Sequence, residues 1–300
     1  MNTSFATLCD RILAAVAEVE PGPGRKYPGL FARLGFAALV LAATPALAAT
    51  APSLGSVSTF GVVSSTFTNA NTAPQTIING NVCYTTGPTT APLLINGTAG
   101  ACPGAAGGDQ LAALAILNGQ PCTPLPVGIP LNMVAIGANP PGTFSPGCYF
   151  RAGALDITAS TTVTLNGAGV YIFRSTGGAL TTGADSHVNL TGGACASDVF
   201  WAPVGATTLG ANSSGPSLAT PTFQGNILDA AGITIGHFAN LTGRALAFGG
   251  TVTTDANTIS VPTCAAFAVG GIPTLSEWAM LMLGALLAVA GFAAMRKPAI

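Results

Sequence analysis

The sequence predicts a mainly β fold: a solenoid of short strands with three faces, one long α-helix packed alongside, and a transmembrane helix near the C-terminus. Three observations lead there. Short runs rich in Thr, Val and Ile are broken at close intervals by Gly, Asn and Pro. One three-residue form recurs five times in the second half of the body. A single stretch of the body carries both the start and the stop signals of a helix.

Charge sets the boundary conditions. The chain of 300 residues holds nine basic and ten acidic residues, and 6% of it is charged, against about 25% in an average soluble protein. Hydrophobic residues make up 49%, which excludes a disordered, highly charged chain. A net charge of -1 argues against a basic nucleic-acid surface. Between Ala49 and Gly271 there is no Lys or Glu. The surface of that stretch must therefore stay hydrated on Thr, Ser, Asn and Gly, a pattern of exported surface proteins rather than cytoplasmic enzymes.

The N-terminal end reads as an export address. Arg25, Lys26 and Arg33 precede the apolar run Leu34 to Leu41, and Thr44-Pro45-Ala46-Leu47-Ala48 follows. This is a basic n-region, an apolar h-region and an A-x-A site, with cleavage expected after Ala48. The stretch before Arg25 is long for an n-region, and reads either as an over-extended start or as a long signal peptide. Residues 1–48 are thus set aside, 49–265 form the solenoid domain, and 266–300 form a C-terminal segment.

In the body, Ser56 to Val63, Thr76 to Ile78 and Leu93 to Ile95 read as strands, with Asn79-Gly80 and Asn96-Gly97 as turns. Asp109 is a fitting N-cap for Gln110 to Leu117, and Asn118-Gly119 a fitting stop. That helix is apolar on most sides, so it needs a large surface to cover.

From Leu155 onward the repeat begins. Asp156-Ile157-Thr158, Ala179-Leu180-Thr181, Ala206-Thr207-Thr208, Gly232-Ile233-Thr234 and Thr251-Val252-Thr253 share one form, with threonine spacings of 23, 27, 26 and 19. A second kind of segment follows several of them: Thr162 to Leu165, His187 to Leu190, Asn240 to Thr242 and Thr258 to Val261. A third is more apolar: Val170 to Phe173, Val199 to Trp201, Asn226 to Leu228 and Ala245 to Phe248. Three short strands per period make one solenoid coil. Alternation turns Ile157, Leu180, Ile233 and Val252 inward and Thr158, Thr181, Thr208, Thr234 and Thr253 outward. Stacking then places those five threonines in one column, with Asp156, Ala206 and Gly232 together beside it and Thr251 on the same face. Thr164, Asn189, Asn240 and Thr258 make a candidate neighbouring column. The apolar third segments form the face that the helix covers.

Cys9 falls in the discarded segment. Cys83, Cys102, Cys122, Cys148, Cys195 and Cys264 remain, an even number that suggests disulfides in an exported chain. Six cysteines allow 15 pairings, and the sequence does not choose among them. No C-x-x-C spacing exists and His187 and His237 are the only histidines, so neither a metal nor another cofactor is expected. Six Asp are scattered through the body with no Glu beside them, which argues against acid–base catalysis. Asp185 and His187 share one side of a strand while Ser186 faces the other, which argues against a triad. Trp201 reads as core, and Asp198 and Arg244 as turn residues.

At the C-terminal end, Ala279 to Met295 carry no charge and Arg296-Lys297 follow. Seventeen residues is the lower limit for a spanning helix, with Trp278 at one interface and the basic pair on the cytoplasmic side. Ile272-Pro273-Thr274-Leu275 and Trp278 before that helix resemble the IPTL-CTERM bacterial sorting signals. The resemblance implies Sec export, a membrane-anchored intermediate held in the inner membrane, and cleavage by an exosortase-like protease. Transfer to the cell surface or matrix follows. The alternative is a plain tail anchor.

Leu54-Gly55-Ser56-Val57-Ser58-Thr59-Phe60, Pro146-Gly147-Cys148-Tyr149, Val170-Tyr171-Ile172-Phe173, Asp198-Val199-Phe200-Trp201, Phe223-Gln224-Gly225-Asn226-Ile227-Leu228 and Leu241-Thr242-Gly243-Arg244-Ala245-Leu246 follow one another in order. Together they resemble the DUF3494 ice-binding protein family over residues 52 to 262. The resemblance implies a discontinuous right-handed β-helix with one long helix alongside. It also implies a monomer whose partner is ice or ordered water, met by a flat Thr-rich face, with antifreeze or recrystallisation-inhibiting activity. The rival expectation is a structural or adhesive surface protein on the same scaffold.

Overall fold

The computed structural model describes residues 49–70, 73–90, 94–213 and 222–264. The signal peptide, the Ala48 cleavage site, the sorting motif Ile272 to Trp278 and the helix expected over 279–295 lie outside them. Among the described residues no helix is long and apolar enough to cross a membrane.

The strand Asn240–Thr254 shows one coil entire. Residues 240–242 lie on one face beside Thr258–Ser260. Residues 244–246 pair with 226–228 on a second face, and 252–253 pair with 233–234 on a third. Glycines turn the corners. Gly225 has φ +118°, and a Cβ on Gly243 would stand 1.8 Å from the Gly225 carbonyl oxygen, so neither position admits a side chain. Every strand pairing is parallel, as winding coils require.

One face runs through Thr123–Pro124, Gly147–Arg151, Tyr171–Ser175, Val199–Ala202, 226–228 and 244–246. It then continues, against sequence order, into 62–64 and 82–83. The first strand of the body, Phe60–Asn69, is thus docked on the last coil. The first strand of the body lies at one end of the stack, the helix then crosses to the other end, and the later coils wind back to meet that strand.

The crossing is made by the helix α1 (Ala106–Gly119). It starts three residues before the expected cap, because Asp109 is spent elsewhere. Its carboxylate accepts Ser56 N at 2.7 Å and Ser56 Oγ at 2.5 Å, and those donors hold it below the usual carboxylate range. Ala106, Ala113 and Leu117 of α1 pack with Ile172, Phe200, Leu228 and Leu246, so the outer side of that face is closed. Gln110 Oε1 accepts the Phe248 N–H at 3.0 Å. At the far end Arg174 donates to the carbonyls of Asn118 (2.6 Å) and Gln120 (3.2 Å). A cation there satisfies orphan carbonyls and opposes the helix dipole.

Inside the coils an aromatic row fills the axis: Phe144, Tyr149, Phe173, Trp201 and Phe223. The Phe173 and Trp201 rings stack at 4.4 Å. Trp201 is fully buried and donates to Gln224 O at 3.0 Å, so it is core, as its sequence context suggests. All six body cysteines pair, as Cys83–Cys102, Cys122–Cys148 and Cys195–Cys264.

Candidate functional site

The site grows from the face opposite the corner where the other two faces meet. There each coil contributes a three- or four-residue strand whose middle residue points outward: Leu180–Thr182, Thr207–Leu209, Ile233–Ile235 and 251–254. Register places Thr181 beside Thr208, Thr208 beside Thr234, Thr234 beside Thr253, and Thr253 beside Thr68. Leu180, Ile233, Val252 and Phe67 beneath them are buried, so the row stands on packed core.

The row differs from the column expected from the sequence. Thr158 is not in the row. Leu180 stacks on Leu155 rather than Ile157, so Asp156 occupies the position beside Thr181. Both Leu155 and Ile157 face inward, and a slip of two residues preserves that parity. The sequence form alone therefore chose the wrong one. Thr158 instead meets Asn132: it accepts from Asn132 Nδ2 at 2.9 Å and donates its N–H to Asn132 Oδ1 at 3.1 Å. Thr251 is exposed on the expected face, but in the flanking line, next to Thr66.

The candidate neighbouring column does not form beside the row. Thr164 and Asn189 are adjacent, with Thr143 on the other side of Thr164. They belong to a different face, turned away from Thr208. Asn240 and Thr258 are adjacent to each other but buried. Asn240 Oδ1 accepts the Thr258 N–H at 2.9 Å, which makes the pair a corner support.

The first strand runs past the expected end at Val63 to Asn69 and brings Thr66 and Thr68 onto this face, two residues not among those expected there. The signal was present: Thr66-Phe67-Thr68 repeats the form of Thr251-Val252-Thr253. Thr66 pairs with Thr251 and bridges to Thr86. The face is therefore one threonine wide over its middle coils and two wide at the end where the chain's start and finish meet.

Hydroxyl chemistry separates outward from inward threonines. Buried Thr207 donates to Asp229 Oδ2 at 2.6 Å, Thr182 Oγ1 accepts Gly210 N at 2.9 Å, and Thr254 donates to Asn69 Oδ1 at 3.0 Å. Among the described residues, Thr181, Thr208, Thr234, Thr253, Thr66 and Thr68 make no side-chain hydrogen bond within the protein. Strand spacing sets these side chains about 4.8 Å apart along the row, and alternate residues about 6.6 Å apart along a strand.

Charge is kept off this row except at Asp156. Beneath it Arg151 is fully buried and donates to Ala154 O at 3.0 Å and Ile129 O at 2.6 Å. Burial pushes its guanidinium below the ordinary value, and the Asp156 charge partly opposes that. Arg244 is not the expected turn residue: it lies in the strand Asn240–Thr254 beside Asn226, and donates to Ser58 O at 2.8 Å and to Asn226 Oδ1 at 2.7 Å, tying the first segment of the body to neighbouring coils. Asp229 is buried at the corner behind Thr207, and desolvation raises its carboxyl. His237 Nδ1 lies 2.9 Å from Asp255 Oδ1 at the row's edge. Asp185 accepts Ser213 N and Oγ, while Ser186 donates to Gly183 O. Among the described residues no three His, Cys, Asp or Glu are grouped to hold a metal.

Comparison with known proteins bears on the same region. A family profile described as ice-binding-like matches residues 50–260, and an IPTL-CTERM motif profile matches residues 271–297. An ice-binding protein of Nostoc sp. is 32% identical over 246 residues, 79% of this chain and 82% of that one. An ice-binding protein of Flavobacterium frigoris is 34% identical over 120 residues, and the match spans 40% of that protein's length. Among solved structures, the ice-binding protein of the Antarctic ascomycete Antarctomyces psychrotrophicus superposes with a TM-score of 0.58 at 29% identity. That match covers 72% of this chain and all of the other. One from an Antarctic biological consortium has a TM-score of 0.58 at 26% identity, covering 71% and 92%.

Proposed function

The chain belongs to the ice-binding-like family, and from that premise we propose that it is an exported, surface-tethered protein that binds ice through its threonine face. The observation that carries this reading is the in-register row Thr181, Thr208, Thr234, Thr253 and Thr68, whose hydroxyls the protein leaves uncommitted.

Such a row suits an ordered lattice of water. Each methyl disfavours disordered hydration, and each hydroxyl anchors one water as donor or acceptor. β-branched side chains on a packed strand lose little rotamer freedom on docking. The absence of Lys and Glu between Ala49 and Gly271 keeps long hydrated chains off the face. Thr251, Thr66 and Thr86 widen the grid at one end. Right-handed winding and monomeric action are part of the reading. Parallel crossovers overwhelmingly take that hand, and one face of one chain suffices for docking.

Export and tethering follow from the two ends. Cleavage after Ala48 would leave Ala49 half-buried against the core, with Thr50 held by Gln120 in both directions at 2.8 and 2.7 Å. The IPTL-CTERM motif supports a membrane-anchored intermediate, an exosortase-like processing partner and final placement at the cell surface or matrix. A purely adhesive or structural role is favoured by one feature, the carboxylate of Asp156 in line with the threonines.

The test is adsorption of the dye-labelled mature chain to a single-crystal ice hemisphere. Wild type is expected to leave a fluorescent pattern on defined planes, and folded Thr234→Tyr to leave none. An unlabelled hemisphere with folded wild type would shift the assignment to adhesion.

A further inference from the structure

We propose that the Cys195–Cys264 disulfide is a force clamp: it passes the pull of the C-terminal segment to the middle of the solenoid and keeps it off the joint where the chain's start meets its end. The inference rests on the tethering in the reading above, not on ice binding.

Three observations carry it. First, the strand Thr258–Ser260 lies between residues 240–242 and Ile77–Asn79. It is one third of the joint that docks the N-terminal strands on the last coil. Ile259 is fully buried there with Ile78 and Leu241. Second, little holds the chain beyond that strand. Val261 donates to Asn79 O at 3.0 Å, and among the described residues no hydrogen bond involves 262–264. Third, Cys264 is bridged to Cys195, with Cα atoms 6.1 Å apart. Cys195 sits where the chain passes from His187–Thr191 on one face to Val199–Ala202 on the helix-covered face. In a three-faced coil that corner is the one opposite the threonine face.

The consequence is mechanical. Without the bridge, a pull on the C-terminus would load the bonds of Thr258–Ser260 one after another, each individually weak against water. Peeling that strand would uncover Ile259, Ile78 and Leu241 and open the joint. The same joint holds Val252 against Phe67 and Thr253 against Thr68, so the wide end of the threonine row would go with it. With the bridge, the pull enters at Cys195, and the closed loop of 69 residues carries none of it.

The test is single-molecule pulling on the full chain, between a handle at Thr181→azidophenylalanine and one at the C-terminus. Ice is absent, so failure of the ice reading cannot disguise the result. The bridged path from residue 181 to the tail can stretch to about 50 Å, and the unbridged path to about 280 Å. Wild type is expected to show only the short release. Cys195→Ser/Cys264→Ser is expected to release about 230 Å more, at lower force than any wild-type event, and to melt lower in solution because the unfolded chain is no longer cross-linked. If the double variant fails to fold, reductant is added to folded wild type held under load. The other two disulfides lie before residue 181 and outside the pulled segment. The long release should then appear on reduction. A double variant or reduced molecule that holds to the wild-type force would overturn the proposal, as would a wild type that already gives the long release.

Discussion

Thr253 of the last coil and Thr68 of the first strand lie side by side in register on one face, although nearly the whole body of the chain separates them in sequence. The candidate docking surface therefore depends on closure of the stack between its ends, not only on the repeat that spells it out.

Thr208 sits in the middle of the row, exposed, on a strand whose neighbours are buried. Thr208→Tyr is expected to abolish thermal hysteresis while changing unfolding free energy by less than about 0.5 kcal/mol. Thr158→Tyr is expected to keep most activity, because Thr158 is off the row and tied to Asn132. Hysteresis and thermal melts on the two variants check both statements.

Thr68→Tyr tests the part of the face that comes from the first strand. Its side chain is exposed beside Thr253, so its effect on hysteresis should match that of Thr208→Tyr. Full activity in a folded Thr68→Tyr protein would confine the docking surface to the later coils.

Gly243 tests the corner. A Cβ there would meet the Gly225 carbonyl oxygen at 1.8 Å, and backbone cannot move aside cheaply. Gly243→Ala is expected to cost about 3 kcal/mol or more. Gly119→Ala, at the end of α1 with nothing within 4 Å, should be neutral or slightly stabilising. Denaturant titrations of both proteins give the comparison.

Asp229 sets a pH dependence whose sign is opposite to that of a salt-bridged carboxylate. Burial raises its folded pKa above 3.8, so in the window just above 3.8 the folded state binds more protons than the unfolded one. Stability from this group is present below that window and is lost as pH rises through the folded pKa. The wild type should therefore lose ground against Asp229→Asn as pH is raised through the window. Unfolding free energies of the pair at several pH values measure this, and a flat difference would contradict it.

Much of the fold is legible in residue order because a strand's parity is local. The inward set Leu180, Ile233 and Val252 and the outward set Thr181, Thr208, Thr234 and Thr253 follow from alternation alone. Register between coils is not local. Leu155 and Ile157 are equally good partners for Leu180 on parity, and the folded chain pairs Leu180 with Leu155. The docking of Phe60–Asn69 beyond the last coil is a contact between sequence-distant segments, so nothing beside those residues announces it. Asp109 looked like a helix cap because its partner, Ser56, lies far upstream.

The central claim is tested most directly by growing single ice crystals in the folded, oxidised mature chain and in folded Thr208→Tyr. The account predicts faceted crystals held over a temperature gap in wild type at micromolar protein, and round, freely growing crystals in the variant. Round crystals in both, or faceted crystals in both, would contradict a docking surface built on this row of threonines.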